Sequence, residues 1–193
     1  MTKKMKIQRL KQYFTGSLFI LICAAGGVSQ TRGHVTAREK KEITEALAKD
    51  KNFQKELKEY EIKASDATKT VQIKKIKLNG DASPEFLVVV EEEHLCGALA
   101  NCPNWVYRKT GEGSYSLLLY TRGRELLTEK TSTGGFRNLR SEGGGTATES
   151  CFSIYKYDGT SYRAKDCFKR QESGGNSKPK TTRIDCRNLD DNR

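Results

Sequence analysis

Oxygen-bearing side chains recur along Lys77–Glu85 (KLNGDASPE), at Asn79, Asp81 and Glu85. They take the third, fifth and ninth places of this stretch, the alternation by which a calcium loop turns its oxygens around a hard cation. Two other places of such a loop are changed. The first is Lys77, a cation where a carboxylate should stand, and the sixth is Ala82, where the sharp turn favours glycine. An ammonium group opposes a divalent ion, so Asn79, Asp81 and Glu85 are weak metal candidates and Ca²⁺ is disfavoured. The sequence calls for no cofactor. Asn79 and Asp81 instead suit hydrogen bonds to their own turn.

Glu91, Glu92, Glu93 and His94 form a second titratable run. On a strand their side chains alternate between two faces and do not converge, so a solvated strand end is the better reading. With only two histidines in the chain, a His-rich metal centre is excluded. Nucleophile signatures are missing too. There is no Gly-x-Ser-x-Gly elbow and no Walker-type phosphate loop, and the Gly143–Gly145 run lacks the Gly-Lys-Ser/Thr that reaches phosphates. No catalytic residue is assigned. A pair of carboxylates for hydrolysis would leave no trace in sequence, because their separation in space is invisible there.

Tyr107, Tyr155, Tyr157 and Tyr162 fall on expected strands. Tyrosine buries a large area with few rotatable bonds, so these four are candidates for a recognition surface, with core packing as the alternative. Trp105, next to Cys102, is expected to pack over a disulfide.

The Leu78-Asn79-Gly80-Asp81…Pro84-Glu85 segment resembles the loop that precedes a strand in FG-GAP and VCBS-type repeats and in a group of uncharacterised secreted bacterial proteins. Cys96-Gly97…Cys102…Trp105-Val106-Tyr107 is similar to a segment that follows it in that group. Gly135–Leu139 and Tyr157–Tyr162 are similar to its later strands. The likeness runs from about Ile73 to Cys167 and implies a β-rich secreted domain. A single copy is present, so a repeat array or propeller is not expected.

The elements that would hold these residues are legible in outline. Helix formers dominate from Arg38 to Ile62, with apolar side chains at Ile43, Ala46 and Leu47 and again at Phe53, Leu57 and Tyr60. The spacing slips between the two groups, where Asp50 or Asn52 is placed to cap a second helix. Val71 and Ile73, then Ile76 and Leu78, alternate in opposite phases, which predicts a bulge near Lys74–Lys75. Phe86–Val90 reads as a doubly covered central strand. Further strands are expected at 105–109, 115–121, 136–140, 151–157 and 161–168, with a hairpin turn at Asp158-Gly159. The fold class is α+β, an antiparallel β-meander sheet with a short N-terminal helical flank. It forms one domain over about 38–168, with helices over 38–62 and strands over 71–168, followed by a polar, disordered or weakly docked tail over 169–193.

The chain opens on a cationic stretch holding Lys3, Lys4, Lys6, Arg9 and Lys11, then the apolar run Phe14–Ala25, then small residues. This order is that of a secretory signal peptide over 1–28, and the run is shorter than the roughly 20 residues that span a bilayer. Cys23 could carry lipid, but Ile22 stands where a lipoprotein signal needs a small residue. Five of the 35 basic residues lie in the leader, which leaves 30 against 24 acidic, a net charge of +6 in place of +11. Basic and acidic residues are interspersed, so no nucleic-acid platform is expected.

Export makes disulfides the first reading of Cys96, Cys102, Cys151, Cys167 and Cys186. Cys96 with Cys102 and Cys151 with Cys167 are the expected pairs, and Cys167 with Cys186 competes with the second. The function expected is that of a secreted or periplasmic, non-enzymatic domain that binds a protein or glycan partner. A secreted hydrolase with carboxylate acid/base residues is the rival.

Overall fold

The structure is a computed structural model that describes residues 33–146, 148–172 and 178–187. The expected leader over 1–28 and Cys23 lie outside the described residues. Thr36 opens helix α1 (Ala37–Ala48) with a capping box: its side chain accepts from Glu39 N, and the Glu39 carboxylate accepts from Thr36 N at 2.9 Å. Asp50 ends the spacing slip by capping α2 (Lys51–Glu59), accepting from Asn52 N at 2.9 Å and Phe53 N at 3.2 Å. The two helices bury Ile43, Leu47, Phe53 and Leu57. A single turn, α3 (Ala64–Ala67), leads through a 3-10 turn to the strands.

Four strands make the first sheet: β1 (Val71–Ile76), β2 (Glu85–Val90), β3 (Cys102–Gly111) and β4 (Ser114–Gly123). A short helix, α4 (Glu93–Cys96), lies between β2 and β3. Five strands make the second: β5 (Glu125–Thr133), β6 (Phe136–Gly143), β7 (Glu149–Tyr157), β8 (Tyr162–Gln171) and β9 (Lys180–Ile184). Both sheets are antiparallel and run in sequence order, and neither closes. The architecture is α+β, but the meander divides in two.

The division falls at Gly123, where the chain leaves β3's side and starts β5. A Cβ there would stand 2.4 Å from Ser141 Oγ and 2.9 Å from the Glu142 carbonyl oxygen, so only glycine lets the end of β4 touch β6. Arg124 N then donates to Glu142 O at 2.7 Å and begins the second sheet.

The first sheet carries a core on each face. Phe86, Val88, Val90, Trp105 and Tyr107 meet the helices through Ile43, Leu47, Phe53 and Leu57. Leu87, Val106, Leu118 and Leu119 face the second sheet through Leu126, Leu139, Tyr155 and Tyr162. Burial on both sides is why β2 reads as one apolar run.

Three expectations change. No bulge occurs near Lys74–Lys75, since β1 pairs with β2 in unbroken register from Val71 to Ile76. The phase switch marks the strand's end, beyond which Leu78 turns into the inter-sheet core. The tail is not free of structure: β8 runs to Gln171, and β9 pairs along it. Cys167 is bonded to Cys186, not to Cys151, and that cross-link pins a strand too polar to announce itself.

Candidate functional site

The loop before β2 is closed by its own side chains. Asn79 Nδ2 donates to Asp81 Oδ2 at 3.0 Å, Asn79 Oδ1 accepts from Asp81 N at 3.2 Å, and Asp81 Oδ1 accepts from Ser83 N at 2.9 Å. The cation beside Asp81 comes from the protein itself, because Arg108 Nη2 donates to Asp81 Oδ2 and forms an ion pair with it. Glu85 turns inward and accepts from Leu78 N at 3.1 Å. Among the described residues, no group of three His, Cys, Asp or Glu is placed to hold a metal ion. In the acidic run, Glu92 caps α4 by accepting from Leu95 N at 2.9 Å, while Glu91, Glu93 and His94 point to solvent.

The tyrosines do not form a surface. Tyr107 is buried against the helices, and Tyr155 and Tyr162 lie between the sheets. The two hydroxyls between the sheets are spent inside: Tyr155 with Thr121 Oγ1 at 2.8 Å, and Tyr162 on Arg137 O at 2.7 Å. Tyr157 is half-buried, stacked on Phe136 with centroids 4.1 Å apart. Strand period places all four on inward faces, a side that local composition does not specify. Trp105 is likewise central. It meets Phe53 edge-on and donates from Nε1 to Asp50 Oδ1 at 3.0 Å.

What the surface offers instead is a cavity of about 590 Å³. Its walls include Tyr60 from the end of α2, Leu99 from the Cys96–Cys102 loop, Arg122 from β4, and Glu149 and Cys151 from β7. Tyr60 and Leu99 are the exposed large hydrophobic side chains among the described residues, at 40% and 50% exposure, and both line this one space.

Each wall has a local cause. The Cys96–Cys102 disulfide closes a short loop that lifts Leu99 outward. Asn101 Oδ1 accepts from Gly144 N and fixes this loop on the glycine run. A Cβ at Gly144 would stand 2.1 Å from Leu99 O, and one at Gly145 1.9 Å from Glu149 O. The run is thus a seat for close backbone approach.

Arg122 supplies the charge. Its Nη1 pairs with the buried Glu56 carboxylate, its Nη2 donates to Leu95 O, and its guanidinium lies 5.6 Å from the Tyr60 ring centroid. Burial works against this cation, but the hydrogen bond and ion pair with Glu56 outweigh it and hold the group above its ordinary value. Tyr120 donates to the same carboxylate, and burial with that bond pushes its phenol up. Glu149 also lines the cavity; hydrogen bonds from Lys169 and Gln171 keep it below the usual carboxylate range. Cys151 lines the cavity as a half-buried free thiol.

Sequence reasoning missed Tyr60, Leu99 and Arg122. Tyr60 reads as the last member of an apolar stripe, and Arg122 is one of many interspersed cations. Leu99 did leave a trace, as a large aliphatic residue in a disulfide-closed loop with no room to bury it.

A second depression, about 440 Å³, lies on the second sheet's outer face, among Asn138, Arg140, Phe152, Ile154, Lys156 and Asp166. Here Lys156 Nζ holds Asp166 at 2.9 Å, and Arg140 bridges Glu129 at 3.3 Å and Glu142 at 3.0 Å. The hydrogen bond from Lys156 keeps Asp166 below its ordinary value. No family model, curated protein or solved structure matches the chain, and both sites are read from their own chemistry.

Proposed function

We propose that the protein is an exported, non-enzymatic binding domain that takes a protein or glycan partner in the cavity between Tyr60 and Leu99. The observation that carries this reading is the convergence of two exposed large hydrophobic side chains on one cavity with a buried-anchored arginine. Large apolar groups rimmed by polar ones are the usual make-up of a recognition site, and aromatic and arginine anchors contribute most of the affinity in such sites. Arg122 is pre-ordered by Glu56 and Leu95, so little freedom is lost when a partner stacks there.

Two disulfides support the exported reading, since such bonds persist in oxidising compartments. No helix among the described residues is long and apolar enough to cross a membrane. The LNGD…PE loop and the Cys-Gly…Cys…Trp-x-Tyr segment group the chain with the secreted proteins they resemble. For hydrolysis, two carboxyls of separated proton affinity should meet in a cleft. Glu149 is the acid lining this cavity, and Lys169 holds it ionised.

The test compares the wild type with L99S and Y60A, immobilised and exposed to envelope and culture-fluid extracts and to a glycan array. A species retained by wild type should be lost or weakened roughly tenfold by each substitution. K69A, a change on an exposed lysine of the 3-10 turn, should leave retention intact. Equal retention by wild type, L99S and Y60A overturns the assignment.

A further inference from the structure

We propose that the outer face of the second sheet is a saccharide-binding site, in which Asn138, Arg140, Lys156 and Asp166 take sugar hydroxyls above Ile154 and Phe152. The site stands apart from the Tyr60–Leu99 cavity and shares no residue with it, so either can fail alone.

Asn138 is the first observation. It is 4% exposed, lies on an internal strand and lines the depression. Its Nδ2 donates to Thr131 Oγ1 at 2.9 Å, while its Oδ1 has no hydrogen-bond partner among the described residues. A buried amide oxygen left without a donor costs stability and calls for an explanation. A donor arriving from the depression supplies one, and the Thr131 bond fixes the orientation of the amide.

The charged groups narrow the class of ligand. Arg140 is shared between Glu129 and Glu142, and Lys156 and Arg183 both engage Asp166. These cations are already neutralised, so the face has little to offer a phosphate or sulfate, which wants unpaired charge. Each pair still carries spare N–H donors and carboxylate lone pairs side by side. A hydroxyl group, at once donor and acceptor, uses both. A ring of hydroxyls does so repeatedly, and its C–H face needs an apolar floor. Phe152 and Ile154 alternate with inward residues on β7 and form that floor, with Phe152 stacked on Phe168 at 4.8 Å. An extended peptide is a poor occupant, because strand addition uses a free edge. Here β6, β7 and β8 are internal to the sheet and their backbones are spent in the ladders.

The experiment is a two-dimensional amide NMR titration of the purified protein with maltotetraose, cellotetraose and chitotetraose, and in parallel with inorganic phosphate and a sulfated disaccharide. At least one neutral tetrasaccharide should shift amides of 129–133, 138–140, 152–156 and 166, saturably and in the millimolar range or tighter. N138A should weaken that binding roughly tenfold. K156A, a change at a half-exposed side chain, should weaken it as well and guards against misfolding of N138A. No shift with any of the three neutral sugars overturns the proposal. So do shifts confined to the anions, shifts that centre on Tyr60 and Leu99, or shifts unchanged in K156A.

Discussion

Glu85 begins β2 with its side chain sealed at 1% exposure. One carboxyl oxygen accepts from Leu78 N, and the other has no partner among the described residues. Burial pushes this carboxyl above the usual range and the Asp81 charge adds to it, against the opposing pull of the Leu78 N–H and of Arg108. A group that binds its proton more tightly when folded stabilises the fold while protonated. That contribution is full below the ordinary carboxyl pKa of about 4.3 and is lost as pH rises through the higher folded value. Stability credited to Glu85 therefore falls as pH rises above the ordinary carboxyl value. E85Q keeps an oxygen for Leu78 N–H and removes the charge. It should raise unfolding stability at pH 7 by on the order of 1 kcal/mol, with the gain shrinking toward pH 4. Urea unfolding at the two pH values checks this, and a variant less stable than wild type at pH 7 refutes it. From the sequence, Glu85 was the ninth place of a cation loop. Its inward turn follows from its place as the first residue of a doubly covered strand, which the motif alone does not reveal.

Elements were legible wherever a local signal and the tertiary environment agreed. The α1/α2 break with its Asp50 cap, the covered strand β2 and the Asp158-Gly159 hairpin all follow from nearest-neighbour chemistry. β5 escaped because its pairing with β6 shifts between Thr128 and Ser132 and spoils the alternation, and because its far half is exposed. β9 escaped because four of its five residues face solvent. Register was the hardest quantity to read. The hairpin pairs Tyr157 with Tyr162 at its mouth, but a shift between Ile154 and Tyr155 resets the ladder. Ser153 then stands opposite Cys167, and Cys151 opposite Lys169, so the expected partners miss each other by two residues. On the other side Ile184 faces Cys167, and the chain just beyond it delivers Cys186. Peptide mapping without reduction should recover Cys96 joined to Cys102 and Cys167 joined to Cys186. Cys151 should be the thiol alkylated before reduction. Recovery of a Cys151–Cys167 peptide would refute this register.

At the scale of the whole molecule, the described residues form three layers, helices on a four-stranded sheet on a five-stranded sheet, and the layers carry unequal weight. The helices send Ile43, Leu47, Phe53 and Leu57 into the first core, each at 7% exposure or less. Burying each such side chain is worth about 1.5–3 kcal/mol, so the four together rival the 5–15 kcal/mol that separates a typical domain from its unfolded state. Removing the helices would also bare Phe86 and Trp105 and take away the Asp50 acceptor of the indole. β9 contributes no buried side chain. Its hold on stability is the Cys167–Cys186 cross-link, which spans 19 residues and is worth about 3 kcal/mol for a loop of that order. Two truncations separate these roles. A chain ending at Glu172 and carrying C167A should still unfold cooperatively and keep the near-ultraviolet signal of its one tryptophan, with stability lower by about 3 kcal/mol. A chain beginning at Lys63 should lose that signal and show no cooperative transition. The contrast matters more than either result, because both truncations remove highly charged segments, of which only the helices bury side chains in a core. Equal loss in the two chains would mean that β9 completes a core, and equal survival would mean that the helices only cover one.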